Sequence, residues 1–187
     1  MDDYQALCAR IADLQKAKTP LVVAIDGPCG GGKTTLAFKL HKAFPDSVII
    51  HADDFFLRPH QRTEERLKEP GGNMDRERLQ EEVLQKVPLG EPFTYSSYDC
   101  QQDVMVPVRY EPRSLVIVEG SYSHHPDLKP SYDLLVFVDV DADTQLDRLK
   151  MRVPGKMLPN FINQWIPLEH RYFDAFHIKA NSDFVLT

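Results

Sequence analysis

The chain has 187 residues, of which 42% are hydrophobic, and a formal net charge of −6 at pH 7. This length can bury one sizeable core, so we expect a single domain over residues 1–187. The acidic balance argues against nucleic acid as a partner, because non-specific affinity for nucleic acid rests on clustered Lys and Arg. No apolar run is long enough to cross a bilayer and the first residues lack the layout of a secretion signal, so we expect a cytoplasmic protein without a membrane partner.

The first predicted elements are a helix, a strand and a second helix. Leu7, Ile11 and Leu14 recur at helical spacing within residues 2–18, which predicts an amphipathic helix. The run LVVAID at 21–26 is apolar and rich in β-branched residues, as expected of a strand buried on both faces of a parallel sheet. A glycine turn then leads into the helical sequence KTTLAFKLHKAF.

The alternation of strands and helices continues along the chain. Four further strand candidates are SVIIHA, SLVIVEG, DLLVFVDV and the shorter DFVLT at the end. Helical patterns are clearest at 75–87, 143–152 and 160–177, and we expect Pro167 to kink the last of these or to begin a new turn. The order of elements predicts an α/β fold with a mainly parallel five-stranded sheet and helices on both faces.

The stretch GPCGGGKT at 27–34, which we call the phosphate loop, fits the pattern GxxxxGK[ST] between a predicted strand and a predicted helix. Glycines let successive backbone N–H groups point at phosphate oxygens, and the helix N-terminus adds the positive end of its dipole. An ordinary glycine-rich turn would leave the lysine and the hydroxyl in register unexplained. The predicted nucleotide-binding residues are Gly27, Gly30, Gly31, Gly32, Lys33, Thr34 and Thr35.

Within this loop, we expect Lys33 to reach the β and γ phosphates of a nucleoside triphosphate and the Thr34 hydroxyl to bind Mg²⁺. The pattern alone does not separate a kinase from a GTPase, a motor or a regulatory ATPase. Cys29 lies inside the loop, where a helix N-terminus could lower the pKa of its thiol, so oxidation of Cys29 is a further hypothesis.

Charged residues stand at the predicted carboxyl ends of other strands. Asp53 follows the second strand and Glu119 ends the third, and such strand ends meet near the phosphate loop in a parallel sheet. In isolation an Asp pair such as Asp53-Asp54 would be typical of a solvated turn, but its place after a buried strand favours a site. Arg148 and Arg152 share one helical face, where they could clamp phosphate or form an exposed charged face.

At this point the sequence resembles the uridine kinase family of P-loop kinases. Its motifs follow the family's order: the phosphate loop, ADDFF, NMDRERL, YSSYD, VIVEGSY, FVDVDADTQLDRLKMR and FINQWIPLEHRYFDAF. The resemblance implies a P-loop NTPase fold, ATP and Mg²⁺ as cofactors, and a small-molecule acceptor, most readily the 5′ hydroxyl of uridine or cytidine. The alternating residues at 93–110 predict a small hairpin insertion, and the resemblance implies that it binds the acceptor. A homo-oligomer is allowed, because related kinases are often oligomeric.

The resemblance also assigns roles to single residues. It implies that Asp53 is the general base that takes the proton of the acceptor hydroxyl, and that Glu119 lies beside Mg²⁺ with Thr34. Lys33, Arg148 and Arg152 complete the predicted catalytic set, and the two arginines belong to a lid at about 148–158. The predicted acceptor-binding residues are Asp75 for ribose hydroxyls, with Tyr98 and Phe56, in segments at about 53–75 and 93–110.

The chain departs from the family's pattern at three places. The lid continues directly into the short VPGKML, Asp103 stands where a base-discriminating histidine is usual, and Phe56 replaces a common tyrosine. A carboxylate cannot donate to a pyrimidine carbonyl as a histidine does, so uridine is not fixed as the acceptor. The alternatives are a kinase of another hydroxyl metabolite, such as pantothenate, and a regulatory ATPase without a small acceptor.

Overall fold

The computed structural model describes residues 2–187. Its helices are α1 Asp3–Gln15, α2 Lys33–Ala43, α3 Glu64–Lys68, α4 Arg76–Leu79, α5 Ala142–Arg152, α6 Leu158–Asn160 and α7 Ile166–Phe176. Its strands are β1 Leu21–Asp26, β2 Ser47–His51, β3 Phe93–Asp99, β4 Val104–Tyr110, β5 Leu115–Glu119, β6 Leu134–Val138 and β7 Phe184–Leu186. Within the described residues, no helix is both long and apolar enough to span a membrane.

Five strands form one parallel sheet in the order β2-β5-β1-β6-β7. All five were predicted from sequence, and the parallel arrangement is confirmed. In the central strands every residue is buried, which explains their unbroken apolar runs. Because the strands are parallel, the carboxyl ends of β1, β2 and β5 lie at one edge, and this edge brings Asp26, His51 and Glu119 together.

Helices cover both faces of the sheet, as predicted. Alternate strand residues point to opposite faces, so each face has its own core. One core joins α1 and α2 to the sheet through Leu7, Ile11, Leu36, Leu40, Val23 and Ile25. The other joins α4 and α7 to the sheet through Leu79, Tyr172, Phe137, Val22, Val116 and Val118.

The predicted hairpin is present as β3 and β4, which pair antiparallel from Phe93 with Tyr110 to Asp99 with Val104. It forms a separate two-stranded sheet. Buried Tyr95 and Tyr110 attach the hairpin to the second core. The hairpin therefore extends from the α/β layers as a small insertion, next to the irregular segment that follows β2.

Two predicted helices are less regular than expected. The pattern at 75–87 folds as α4 followed by a π-helical turn at Gln80–Leu84, and the pattern at 160–177 contains a π-helical turn at Phe161–Trp165 before α7. Pro167 has no N–H to donate to a carbonyl of the preceding turn, which explains why a new helical segment begins there. The expectation for Pro167 is confirmed.

Candidate active site

The phosphate loop runs from the end of β1 into α2, as its pattern predicts. Gly27 has a φ of 142°, and a Cβ there would lie 2.2 Å from the carbonyl oxygen of Val138. Gly32, with a φ of 107°, precedes the first residue of α2. Both positions favour glycine, because other residues rarely adopt this backbone region. The glycines therefore allow the loop to curl tightly against β6 before the helix starts.

A cleft of about 1400 Å³ opens beside the loop. The predicted residues that line it are Gly30, Gly31, Gly32, Lys33, Thr34, Thr35, Asp53, Phe56, Glu119, Arg148 and Arg152. We call the part at the phosphate loop and Arg148 the donor half, and the part at Asp53, Phe56, Arg62 and Arg171 the acceptor half. The fold thus brings the predicted catalytic and nucleotide-binding side chains to one cavity.

Lys33 is buried beneath the loop. Its Nζ donates to the carbonyl oxygens of Gly27 at 2.7 Å and Pro28 at 3.1 Å, and to Ser121 Oγ at 3.3 Å. All three partners are neutral, so the ammonium charge is held inside the loop without a bonded carboxylate. An anion that enters the donor half therefore meets a positive charge that has no directly bonded carboxylate.

Glu119 connects the phosphate loop to β2. Thr34 Oγ1 donates to Glu119 Oε2 at 3.1 Å, and His51 Nδ1 lies 2.6 Å from Glu119 Oε1. The hydrogen bond with Glu119 raises the pKa of His51 above its usual value. His51 was not singled out from sequence, although it ends the strand that precedes Asp53.

The pair of Thr34 and Glu119 fits a Mg²⁺ ion. A hydroxyl and a carboxylate are hard oxygen ligands, and Mg²⁺ usually takes one or two protein carboxylates with water and substrate phosphates as its remaining ligands. Residues 2–187 contain no group of three or more His, Cys, Asp or Glu side chains arranged to hold a metal. The protein would therefore supply few ligands, as is usual where Mg²⁺ is bound together with a nucleotide.

Asp53 lies in the 3-10 turn Ala52–Phe55 that follows β2. Its carboxylate lines the cleft, and no side chain or backbone N–H of residues 2–187 donates a hydrogen bond to it. Desolvation by the cleft walls raises the pKa of Asp53, as do the nearby carboxylates Glu119 and Glu169, whereas Lys33 lowers it. A carboxylate with a raised pKa and free lone pairs can accept a proton from a ligand.

Gly120 permits this arrangement. A Cβ at Gly120 would lie 2.7 Å from Ala52 Cβ and 3.1 Å from Asp53 Oδ1. Only glycine allows the end of β5 to approach the turn after β2 so closely. The glycine in VIVEGSY therefore positions Asp53, a role that strand periodicity alone does not reveal.

Two predicted acceptor residues do not line the cleft. Asp75 is buried: its Oδ2 accepts from Gln61 Nε2 at 2.8 Å and Arg78 Nε at 3.3 Å, and its Oδ1 accepts from the N–H of Arg78 at the start of α4. Tyr98 is also buried, and its Oη donates to Asp103 Oδ1 at 2.8 Å. Their roles in acceptor binding stay predictions, and each requires its present partner to be exchanged for the acceptor.

The predicted lid starts on α5. Arg148 Nη1 donates to the carbonyl oxygens of Gly31 at 3.0 Å and Gly30 at 3.3 Å. Arg152, one turn later, lines the cleft without a bonded partner among residues 2–187. The segment after Arg152 is irregular up to α6. Both arginines thus face the donor half, although their action on a phosphate stays a prediction.

Two buried polar side chains hold the peptide of Cys29 and were missed in the sequence. Glu169 of α7 accepts the N–H of Cys29 on Oε2 at 2.9 Å and the hydroxyl of Ser121 on Oε1 at 2.6 Å. Gln145 of α5 donates from Nε2 to the carbonyl oxygen of Cys29 at 2.9 Å. Both helices that flank the lid therefore hold the phosphate loop. The sequence could have revealed them as polar residues on the buried face of a helix: Gln145 shares that face with Leu149 in α5, and Glu169 shares it with Tyr172 in α7.

Cys29 does not behave as its position at a helix N-terminus suggests. Burial, followed by the neighbouring Glu169 carboxylate, raises the pKa of its thiol to about 12, and the opposing effect of Lys33 is smaller. The hypothesis of a thiol made reactive by a lowered pKa is therefore wrong. Desolvation outweighs the helix dipole because a thiolate would be buried beside a carboxylate.

The chain is similar in sequence and in fold to known kinases. No protein-family model matches the chain. It is 29% identical to uridine kinases from several strains of Streptococcus pneumoniae, in an alignment that covers 89% of the chain and 85% of those proteins.

Solved structures share the fold. A possible uridine kinase from Bacillus stearothermophilus has a TM-score of 0.77 at 23% identity, covering 100% of this chain and 98% of that protein. A putative fructose transport system kinase from a Silicibacter species has a TM-score of 0.77 at 19% identity, with 100% of both chains covered. D-glycerate 3-kinase from Cryptococcus neoformans has a TM-score of 0.60 at 15% identity, covering 92% and 88%. The chain therefore has the fold of P-loop kinases and is similar to uridine kinases over most of its length, which confirms the predicted fold and resemblance.

Proposed function

We propose that the protein is a kinase that transfers the γ-phosphate of ATP to a hydroxyl group of a small molecule. The observation that carries this proposal is the unbonded carboxylate of Asp53 in the same cleft as the phosphate loop, Lys33 and Arg148. Similarity to uridine kinases makes the 5′ hydroxyl of uridine or cytidine the first acceptor to test.

In the donor half, the backbone N–H groups of the phosphate loop receive the phosphates of ATP. Lys33 exchanges its bonds to loop carbonyls for phosphate oxygens, and Arg148 and Arg152 approach the same charge from α5. Thr34 and Glu119 would hold Mg²⁺, which when bound neutralises charge on the phosphates. The protein thus orients the triphosphate and stabilises its charge.

In the acceptor half, Asp53 accepts the proton of the acceptor hydroxyl as its oxygen forms a bond to the γ-phosphorus. The bond between that phosphorus and the oxygen of ADP breaks, and the electron pair leaves with ADP. The raised pKa of Asp53 makes it a better base than an exposed aspartate. Transfer of the proton gives a neutral carboxyl group, which returns its proton to water after the product leaves.

A kinase of another hydroxyl metabolite is the second candidate. Asp75 and Tyr98 are the predicted contacts of a nucleoside, but both are bonded to other protein side chains. This favours an acceptor that does not need them. The bonds that Asp75 and Tyr98 make to other side chains do not affect the transfer of phosphate from ATP. The acceptor could therefore be a different small molecule, such as pantothenate, with the same donor half.

The test is ADP release by the purified protein with ATP and Mg²⁺, measured with uridine, cytidine, other nucleosides, pantothenate and no acceptor. Stimulation by uridine or cytidine supports the nucleoside kinase. Stimulation by another compound supports a kinase of a different acceptor. Slow release that no compound increases, with ATP bound normally, contradicts a kinase and favours the regulatory ATPase.

A further inference from the structure

The basic side chains of the cleft have no ionic partners in the protein. Lys and Arg line the cleft at Lys33, Lys39, Arg62, Arg148, Arg152 and Arg171. None of them lies within salt-bridge distance of a carboxylate of residues 2–187, whereas most other lysines and arginines are paired, such as Arg66 with Glu77 and Lys179 with Asp139. The cleft also contains carboxylates, among them Asp53, Glu119 and Glu169. The fold therefore leaves six cations in the cleft without a directly bonded carboxylate.

The triphosphate accounts for the cations of the donor half. Lys33 and Arg148 are bonded to carbonyl oxygens of the phosphate loop, Arg152 lies one turn after Arg148, and Lys39 is on α2. Lys33, Arg148 and Arg152 therefore lie at the place where phosphates are expected. Arg62 and Arg171 make their hydrogen bonds to the segment after β2 and none to the phosphate loop, so the phosphates bound at that loop do not account for them.

Arg62 and Arg171 are both anchored in the segment that follows β2. Arg62 Nε donates to the carbonyl oxygen of Leu57 at 2.9 Å, and Arg171 Nη2 donates to the carbonyl oxygens of Leu67 at 2.6 Å and Glu69 at 3.3 Å. Each guanidinium uses one nitrogen for this anchor, and its other nitrogens have no partner in the described chain. Anchored in this way, both groups are held at the cleft with free donors.

Two carboxylates of the cleft, Asp53 and Glu169, lie on or next to the elements that carry Arg62 and Arg171, but neither is within salt-bridge distance of these arginines. Asp53 is the carboxylate that lines the acceptor half, and Asp103, in the nearby hairpin turn, is bonded to Tyr98 and is not within salt-bridge distance of Arg62. The hydrogen bond to Asp103 raises the pKa of Tyr98, and the charge of Arg62 acts in the opposite direction. Burial raises the pKa of Tyr122, and the charge of Arg171 acts in the opposite direction. Tyr122 lines the cleft, whereas Tyr98 is buried beside it.

We infer that the phosphate acceptor carries an anionic group, a carboxylate or a phosphate, which Arg62 and Arg171 bind while Asp53 receives the hydroxyl. This inference rests on the proposed kinase function and narrows its acceptor. A guanidinium offers paired N–H donors that match the oxygens of a carboxylate or phosphate, and such charged hydrogen bonds are among the stronger ones in proteins. A neutral nucleoside would leave both guanidinium groups without a counter-ion in a partly desolvated cleft.

The first test measures binding and does not require turnover. Wild-type protein saturated with Mg²⁺ and a non-hydrolysable ATP analogue, which fills the donor half, is titrated with inorganic phosphate in a calorimeter. We expect saturable binding that is lost in the double variant Arg62→Gln, Arg171→Gln and kept in Arg109→Gln, an exposed arginine of β4 paired with Glu111. Absent binding in wild type, or equal binding in the double variant, would overturn the inference.

The second test compares acceptors in pairs that differ by one anionic group: pantothenate with pantothenol, glycerate with glycerol, ribose 5-phosphate with ribose, and orotidine with uridine. We expect an anionic member to be phosphorylated, with a kcat/KM that falls about ten- to hundredfold in each arginine variant. The carboxylate and phosphate pairs distinguish the two kinds of anion. Efficient phosphorylation of neutral members, unaffected by the arginine variants, would overturn the inference while leaving the kinase function intact.

Discussion

In the donor half of the cleft, buried side chains from two helices hold the phosphate loop, whereas in the acceptor half the predicted contact residues hold one another. Glu169 and Gln145 fix the peptide of Cys29 in the donor half, but Asp75 is bonded to Gln61 and Arg78, and Tyr98 to Asp103. In the donor half the backbone of the loop is thus held from outside, and only Lys33 and Arg148 must exchange loop carbonyls for phosphate. The acceptor half must exchange bonds between its own side chains or use other groups. The difference teaches that a phosphate loop can specify the donor without specifying the acceptor.

The largest expected effect is on the rate of phosphate transfer, in which Asp53 acts from the acceptor half. Asp53→Asn should lower acceptor-stimulated turnover by about 10²- to 10⁴-fold, because a general base contributes this much to proton transfer. The affinity for ATP should change little, since Asp53 makes no hydrogen bond to the phosphate loop. Turnover and nucleotide affinity are measured on the same preparation. Equal losses of both would show that Asp53 belongs to the donor half.

The next effect is a difference in reactivity between two thiols, one from each half of the cleft. Cys29 is in the phosphate loop with its pKa raised to about 12, whereas Cys100 is exposed in the hairpin turn. At pH 8, iodoacetamide should therefore modify Cys29 about 10³-fold more slowly than an ordinary thiol, because only the thiolate reacts. Mass spectrometry of the modified peptides gives both rates. Modification of Cys29 as fast as Cys100 would contradict the raised pKa of Cys29.

A smaller effect tests how the phosphate loop is held. Glu169→Gln keeps the size of the side chain but loses the carboxylate that receives Cys29 N–H and the Ser121 hydroxyl, so affinity for ATP and ADP should fall about tenfold. Affinity for AMP, which lacks the β and γ phosphates, should change little. Removal of the negative charge of Glu169 would by itself strengthen the binding of anionic ATP. Unchanged or tighter ATP binding in Glu169→Gln would therefore contradict this role.

The control for Glu169→Gln is Asp133→Asn. Asp133 also accepts a backbone N–H, that of Val22 at 2.8 Å, but lies at the opposite edge of the sheet. Its substitution should lower stability without changing the ratio of ATP to AMP affinity. Equal shifts of that ratio in both variants would indicate a general loss of structure.

The smallest effect concerns stability. Because the folded-state pKa of Asp53 is raised, its ionised form destabilises the folded protein at neutral pH, and Asp53→Asn should raise the melting temperature slightly at pH 7. The gain should disappear as pH falls below the unfolded value near 3.9, where both states bind the proton. Asp141, which caps α5 and has a lowered pKa, provides the opposite case.

Asp141→Asn should lower the melting temperature at pH 7, and this loss should vanish as pH falls through the folded-state pKa of Asp141. Scanning calorimetry between pH 3 and 8 measures both variants. A lower melting temperature for Asp53→Asn at pH 7 would contradict a desolvated, unbonded carboxylate in the cleft.

The same contrast explains what sequence could predict. The five strands, the hairpin and the phosphate loop rest on local signals: apolar runs, turn residues and a fixed spacing of Gly, Lys and Thr. Parallel pairing then places Asp53 and Glu119 near the loop, because both residues follow strand ends at one edge of the sheet. This local information was sufficient for the fold and for the phosphate-loop residues of the donor half, but not for Glu169, which also lines the cleft.

The remaining parts depend on contacts between residues far apart in sequence. Glu169 bonds to the N–H of Cys29 across 140 residues and Gln145 to its carbonyl across 116, so no local pattern reveals their partners. The bond between Gln61 and Asp75 depends on how an irregular segment folds back.

The most direct test of the account is a single-turnover reaction with ATP labelled on its γ-phosphate, enzyme in excess, Mg²⁺ and the panel of paired acceptors. The account predicts that label moves to an organic phosphate ester with at least one acceptor, and that Asp53→Asn forms this ester at least a hundredfold more slowly. Label recovered only as inorganic phosphate, at the same rate in both proteins, would contradict phosphoryl transfer to a small molecule.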